Sequence, residues 1–340
     1  MTDSRFDLLC LGEPLGEFNA TRAESGAFQF GHGGDTSNCA VAAARQGMSA
    51  GYLGALGDDS AGHSIRGLWK REGVDDTHVS THPSAPTGLY FVDHGPSGHV
   101  FSYLRAGSAA SLYGPRDLPR DLIRSARIIQ ASGISQAISA SACDAVFEAF
   151  ETARKAGVLT AYDTNLRLKL WPLTRARAII HAACAMADII LPGLDDATQL
   201  TGLNNPDAIV DFYLGLGARV VALTLGHEGS LVATPVRRER FRPIKVDAID
   251  ATGAGDCYDG AFLAEYLRTA MPSPPAPMPM SRRRSRHRAM ARSRRCRAVP
   301  MSKRALLRRR VPDECSGCEA GGRSSRPLRC ADQRCLGRRA

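Results

Sequence analysis

Seven consecutive residues, Asp250-Ala251-Thr252-Gly253-Ala254-Gly255-Asp256, place small residues and two carboxylates just before a helical pattern over 257–268, where Ala261, Phe262, Ala264 and Leu267 are apolar. Small residues at 253–255 let backbone N–H groups at a helix start converge on an anion, and the helix dipole adds to the attraction. Asp256, in the first turn, can then accept a proton from a hydroxyl as that oxygen attacks a transferring phosphoryl group. The plainer alternative is a loop with an Asp as N-cap. Neither a Walker A pattern nor Gly-x-Gly-x-x-Gly occurs, which excludes a standard P-loop or dinucleotide fingerprint. The nine histidines form no close ligand pair and no triad, so no metal site is assigned to them.

The elements that must position these residues follow from the periodicity. Short apolar runs at 8–11, 51–55, 128–131, 159–162, 189–191, 220–224 and 230–233 alternate with helical stretches at 37–45, 61–71, 142–155, 173–187 and 209–215. This predicts a doubly wound α/β body, a mainly parallel sheet with helices on both faces. Segments 17–30 and 88–103 alternate apolar and polar residues at period two, which predicts a small antiparallel sheet set apart from the main one, placed to close over a ligand as a lid.

The motif at 250–256 resembles the Asp-Thr-x-Gly-Ala-Gly-Asp signature of PfkB (ribokinase-like) carbohydrate kinases, with Thr252 one place later and Ala251 in its slot. The resemblance runs from residue 6 to about 269 and implies a ribokinase-like fold, ATP and Mg²⁺ as cofactors, Asp256 as base and Gly253, Ala254 and Gly255 as an anion hole. A second signature is Gly33-Gly34-Asp35-Thr36-Ser37-Asn38. Glycines let the backbone approach a polyol, while Asp35 and Asn38 can exchange hydrogen bonds with sugar hydroxyls. A helix start capped by Asp35 or Ser37 is the competing reading, and both can hold together.

Three further stretches look like those of 2-keto-3-deoxygluconate kinases: Gly12-Glu13-Pro14-Leu15, the run 101–111, and Asp163-Thr164-Asn165-Leu166-Arg167 with Trp171. By that resemblance Tyr90, Tyr103, Arg105 and Arg167 line a sugar-acid pocket, and two arginines suit a carboxylate because they offer paired, charge-assisted hydrogen bonds. It also puts Asn165 and Arg167 near the ATP phosphates and Thr224, Gly226 and Gly229 in a nucleotide-contacting turn. Where the family carries Asn-x-x-Glu for Mg²⁺ and phosphate, this chain has Leu191-Pro192-Gly193-Leu194-Asp195-Asp196, without the Asn or the Glu. Mg²⁺ is then expected to be held mainly by phosphate oxygens and water. The expected partner is a small sugar acid, and the lid offers a surface for a homo-oligomer.

Of the 340 residues, 44% are hydrophobic and 23% charged, ordinary values for a globular protein. The net charge of +10 is concentrated at one end: residues 272–340 carry 19 Arg and one Lys against four acids, +16, leaving 24 basic and 30 acidic residues, −6, before them. The basic balance therefore argues for no specific nucleic-acid partner in residues 1–271, the predicted kinase domain. Beyond it, Pro- and Arg-rich sequence without apolar periodicity predicts a tail that does not pack, and the abrupt change in composition suggests a shifted reading frame near residue 270. The start of the chain shows no basic region followed by a long apolar stretch, and the best apolar run, 176–191, is broken by Arg177, His181 and Asp188. A soluble, cytoplasmic protein with no membrane association is the expectation.

Overall fold

Strand residues that alternate between two faces, both apolar, must be covered on both sides. Leu9, Leu11, Ile129, Tyr162, Ile190, Val221 and Leu231 belong to one buried core, and Leu8, Cys10, Ile128, Ala161, Ile189, Val220 and Val232 to the other. The computed structural model describes residues 6–21, 26–95, 98–243 and 252–269. Its strands are β1 (Phe6–Leu11), β2 (Leu15–Ala20), β3 (Phe28–Gly33), β4 (Ala50–Gly57), β5 (Val74–Asp75), β6 (Val79–His82), β7 (Leu89–Gly95), β8 (Gly98–Leu104), β9 (Ala126–Ser132), β10 (Leu159–Asp163), β11 (Ile189–Leu191), β12 (Val220–Thr224), β13 (Ser230–Thr234) and β14 (Arg237–Phe241).

The main sheet runs β14-β13-β12-β11-β10-β9-β1-β4-β5, with β6 also paired to β4. Pairing is parallel from β12 through β5, and antiparallel only at β12–β13 and β13–β14. Helices at Asp35–Arg45, Ser60–Glu72, Ala140–Lys155, Leu173–Cys184, Pro206–Gly215 and Ala254–Thr269 accompany it. The predicted body is therefore present, with boundaries shifted by a few residues. The helix expected over 173–187 ends at Cys184, where Met186 and Ala187 N–H groups bond to the Ala183 and Cys184 carbonyls and turn the chain toward β11.

The second sheet, β3-β2-β7-β8, forms from the predicted lid segments. The expectation of an antiparallel sheet is corrected in one respect: β2–β3 and β7–β8 are antiparallel hairpins, but β2 and β7 pair in parallel. The first strands of the two hairpins run in the same direction, so lying side by side they can only pair in parallel. Leu15, Tyr90 and Val92, with Phe101, give this sheet its own small core.

Unforeseen elements are short or charged. β14 (Arg-Arg-Glu-Arg-Phe) is an edge strand whose Arg238 and Arg240 pair with Asp207, and Arg238 also with Asp211, on the Pro206–Gly215 helix. Edge strands tolerate such charge because one side of the ladder faces no neighbour. Residues 272–340, and Asp250 and Ala251 of the first motif, lie outside the described residues.

Candidate active site

Two helices carry candidate site residues, and their close approach has a visible cause. A Cβ on Gly260 would stand 2.3 Å from the Cys39 carbonyl oxygen and 2.8 Å from the Ala42 Cβ, so only glycine lets the Ala254–Thr269 helix lie against the Asp35–Arg45 helix as it does. Small residues on the first helix, Cys39, Ala40, Ala42 and Ala43, are buried and let the two backbones come close. At the end of this contact Asn38 Nδ2 donates to Asp256 Oδ2 at 2.8 Å. Gly253 holds φ +75 just before the helix, whose first-turn N–H groups have no partner within it. Ala254 and Gly255 are exposed there.

Asp256, Asn38, Asp35, Gly34, Thr252 and Gly253 form one wall of a cleft of about 510 Å³, whose other walls include the lid residues Tyr90, Phe101, Tyr103 and Arg105 and the loop residues Asn165 and Arg167. Burial, then the nearby Asp35 carboxylate, raises the Asp256 pKa to about 6, while the Asn38 hydrogen bond and the Arg167 charge pull it down. Asp256 is thus poised near neutrality, the range a general base at physiological pH requires. Asp163, at the end of β10, and Asp259, one turn beyond Asp256, are buried, and desolvation pushes both well above the usual carboxylate range, with Asp35 and Asp256 adding to it.

Asp35 is the first residue of its helix, and Gly34, not Asp35 or Ser37, is the cap. Ser37 instead accepts a hydrogen bond from Trp69 Nε1 at 2.9 Å. The Asp35 carboxylate accepts from Thr36 N (2.8 Å), Asn165 Nδ2 (3.0 Å) and the Ser132 hydroxyl, which ties the ends of β9 and β10 to the helix start. Gly33 and Gly34 also have a steric reason of their own. A Cβ at Gly33 would meet the Tyr90 hydroxyl at 2.4 Å, and Gly34, at φ +100, lies where a Cβ would come within 2.5 Å of the Glu13 carbonyl. Gly34 lines the cleft, while Gly33 sits behind Tyr90.

The lid wall rests on two buried glutamates that sequence reasoning gave no role. Tyr90 donates its hydroxyl to Glu17, and Arg105 is ion-paired with Glu13, which also accepts from Ser108 Oγ at 2.5 Å. The Arg105 guanidinium lies 5.7 Å from the Tyr103 ring centre. Burial pushes the Glu13 carboxyl up against the opposing pull of Arg105. The expected arginine pair is therefore unequal: Arg105 is neutralised by Glu13, whereas Arg167, with its side chain 46% exposed, stands 3.8 Å from Asp196. An acidic residue just after an apolar strand, in the short connection to the next, was the available signal for Glu13. Lys169, also unforeseen, bonds the Phe101 carbonyl at 3.2 Å and joins the loop after β10 to the edge of the lid sheet.

Thr224, Gly226 and Gly229 do not line this cleft. They form the β12–β13 turn, where Gly226 has φ +58 and Gly229 φ +101, with a Cβ at Gly229 placed 1.9 Å from the Phe241 carbonyl. The turn alone accounts for both glycines. Asp196 accepts from Leu166 N at 2.9 Å, and among the described residues no group of three or more His, Cys, Asp or Glu could hold a metal ion. What fits a nucleotide phosphate is the start of the Ala254–Thr269 helix together with the half-exposed Arg167. Among the described residues no helix is long and apolar enough to cross a membrane.

Residues 6–276 match the family described as pfkB family carbohydrate kinase. The chain is 34% identical over 279 residues to a 2-dehydro-3-deoxygluconokinase of Thermoproteus tenax, covering 79% of this chain and 85% of that protein. It is equally 34% identical to a probable fructokinase-3 of Arabidopsis thaliana, over 76% of this chain and 77% of the relative. A crystal structure of a PfkB protein from Polaromonas sp. JS666 superimposes with a TM-score of 0.72 at 30% identity, covering 78% and 89% of the two chains. The chain belongs to the PfkB family of carbohydrate kinases, enzymes that transfer a phosphoryl group to a sugar.

Proposed function

We propose that the chain transfers the γ-phosphoryl group of ATP to a primary hydroxyl of 2-keto-3-deoxygluconate, in the cytoplasm. Asp256 takes the hydroxyl proton, the oxygen bonds to the γ-phosphorus, and ADP leaves with the bridging oxygen's electron pair. Gly253, Ala254 and Gly255 present helix-start N–H groups to the charge that develops on the phosphoryl oxygens. Arg167 stands between the two substrates, and Asp35, Asn38, Tyr90, Tyr103 and Arg105 surround the sugar. When bound, ATP supplies the phosphoryl group and Mg²⁺ neutralises its charge; Asn165, Thr224, Gly226 and Gly229 are the further residues proposed for the nucleotide side.

The observation that carries this reading is the Asp256 carboxylate, held by Asn38 at 2.8 Å on a helix start and facing a cleft that also contains a half-exposed arginine. A neutral ketose of the fructose type is the second reading, favoured by the Glu13–Arg105 pair, which removes one of the two charges a sugar acid would use. A coupled ADP-release assay with ATP and Mg²⁺ across 2-keto-3-deoxygluconate, gluconate, fructose and ribose tests it. Turnover on 2-keto-3-deoxygluconate at a kcat/KM at least about tenfold above fructose supports the first reading, and the reverse order replaces it with the second.

A further inference from the structure

Arg105 has its guanidinium paired with a buried carboxylate rather than left alone in the cleft. Its side chain is 9% exposed and that of its partner Glu13 is 0% exposed, so the pair is held away from water. Glu13 accepts from Arg105 Nη2 through one carboxylate oxygen and from Ser108 Oγ through the other, which fixes the carboxylate in the connection between β1 and β2 and the guanidinium just past β8. Both residues line the cleft. An anion placed beside Arg105 also lies near Glu13. In a poorly screened environment the attraction of the one and the repulsion of the other largely cancel. What remains is a set of oriented N–H donors, and these serve a hydroxyl, a carbonyl or a carboxylate alike.

We propose that Glu13 is a positioning and specificity-determining residue: it orients Arg105 toward the sugar while cancelling its charge, and so limits how strongly the pocket prefers an anionic over a neutral sugar. Arg167, 46% exposed and 3.8 Å from Asp196, and Lys169 line the same cleft and are its cations outside this buried pair. The two glutamates of the lid act alike in one respect, since Glu17 holds Tyr90 as Glu13 holds Arg105. Glu13 holds a guanidinium, and Glu17 holds a phenol hydroxyl. Changing it to glutamine keeps the shape and the oxygen acceptor but leaves the arginine charge unopposed.

The test uses the full chain and two ligands, 2-keto-3-deoxygluconate as the anionic sugar and fructose as the neutral one, with binding measured by calorimetry and KM by coupled assay. The quantity read is the ratio of the two affinities, which is defined whichever of the two sugars the wild type prefers, so a preference for fructose would overturn the substrate assignment without deciding this test. Glu13→Gln should raise the ratio in favour of the anionic sugar at least about tenfold. Arg105→Gln should leave the ratio within about threefold of wild type, because burial pushes the Glu13 carboxyl up and Arg105 is the main charge opposing this, so losing the cation also favours the neutral acid. If Glu13→Gln does not fold, as read by thermal unfolding, Arg105→Gln alone decides. An unchanged ratio in folded Glu13→Gln, a fall of tenfold or more in Arg105→Gln, or the absence of any binding of either sugar to wild type and variants overturns the proposal.

Discussion

Asn38 donates its side-chain N–H to the Asp256 carboxylate at 2.8 Å, joining two helix starts that are 218 residues apart in the chain. The bond orients the proposed base and stabilises its charged form, while burial and Asp35 act the other way and leave the pKa at about 6. Asp256→Asn should therefore retain the fold and sugar binding but lower kcat by at least about a hundredfold, the loss expected for a general base. Near wild-type turnover in a folded variant would remove Asp256 from the mechanism.

The same contact sets a pH dependence. A base must be ionised to accept a proton, so kcat/KM should rise with pH through about 6 and level off above it. Because the Asn38 bond lowers the Asp256 pKa, Asn38→Ala should move the midpoint to higher pH and reduce the plateau. A pH–rate profile of the two proteins with an unshifted midpoint would contradict this assignment.

Arg167 lines the cleft and also lowers the Asp256 pKa. Arg167→Ala should weaken binding of an anionic sugar about tenfold or more, since a charge-assisted hydrogen bond contributes on the order of 1.5–3 kcal/mol. A neutral sugar should lose much less. Titration of both ligands by calorimetry checks the contrast, and equal losses would discard the carboxylate role.

Gly260 tests the packing beneath the site. An alanine there drives a methyl group into the Cys39 carbonyl at 2.3 Å, so Gly260→Ala should push the two helices apart, destabilise the protein by about 1–3 kcal/mol and lower kcat more than it raises the sugar KM. Denaturant unfolding with steady-state kinetics separates these effects. A variant as stable and active as wild type would mean that the helix spacing does not position Asp256.

Residues 272–340 carry the Arg- and Pro-rich composition that buries little apolar surface. Their removal should leave the thermal midpoint of the kinase domain nearly unchanged, and replacing them with the C-terminal segment of a PfkB relative should raise both the midpoint and ATP affinity. A full-length chain clearly more stable and tighter for ATP than the truncated one would show instead that the tail contributes. Sequencing of the coding region around residue 270 in related strains checks the shifted-frame reading.

The sequence alone was enough to read the α/β body, because parallel strands covered on both faces need unbroken apolar runs and helices need a 3.6-residue period, and both leave local marks at 8–11, 128–131 and 220–224. It was also enough to propose Asp256 and the small residues 253–255 as a site, since a phosphate site built on one helix start would be contiguous in sequence. The lid was legible as alternation, but the parallel pairing of β2 with β7 was not, because it depends on how two separate hairpins lie together. Only the tertiary structure decided the electrostatics of the cleft. Glu13 and Arg105 are 92 positions apart, Asp35 and Asn165 are 130 apart, and no local pattern records that one cancels a charge and the other spends its acceptors on the protein. A side chain's type is written in the sequence, but its net charge and free hydrogen-bonding capacity depend on neighbours that folding brings within a few ångströms.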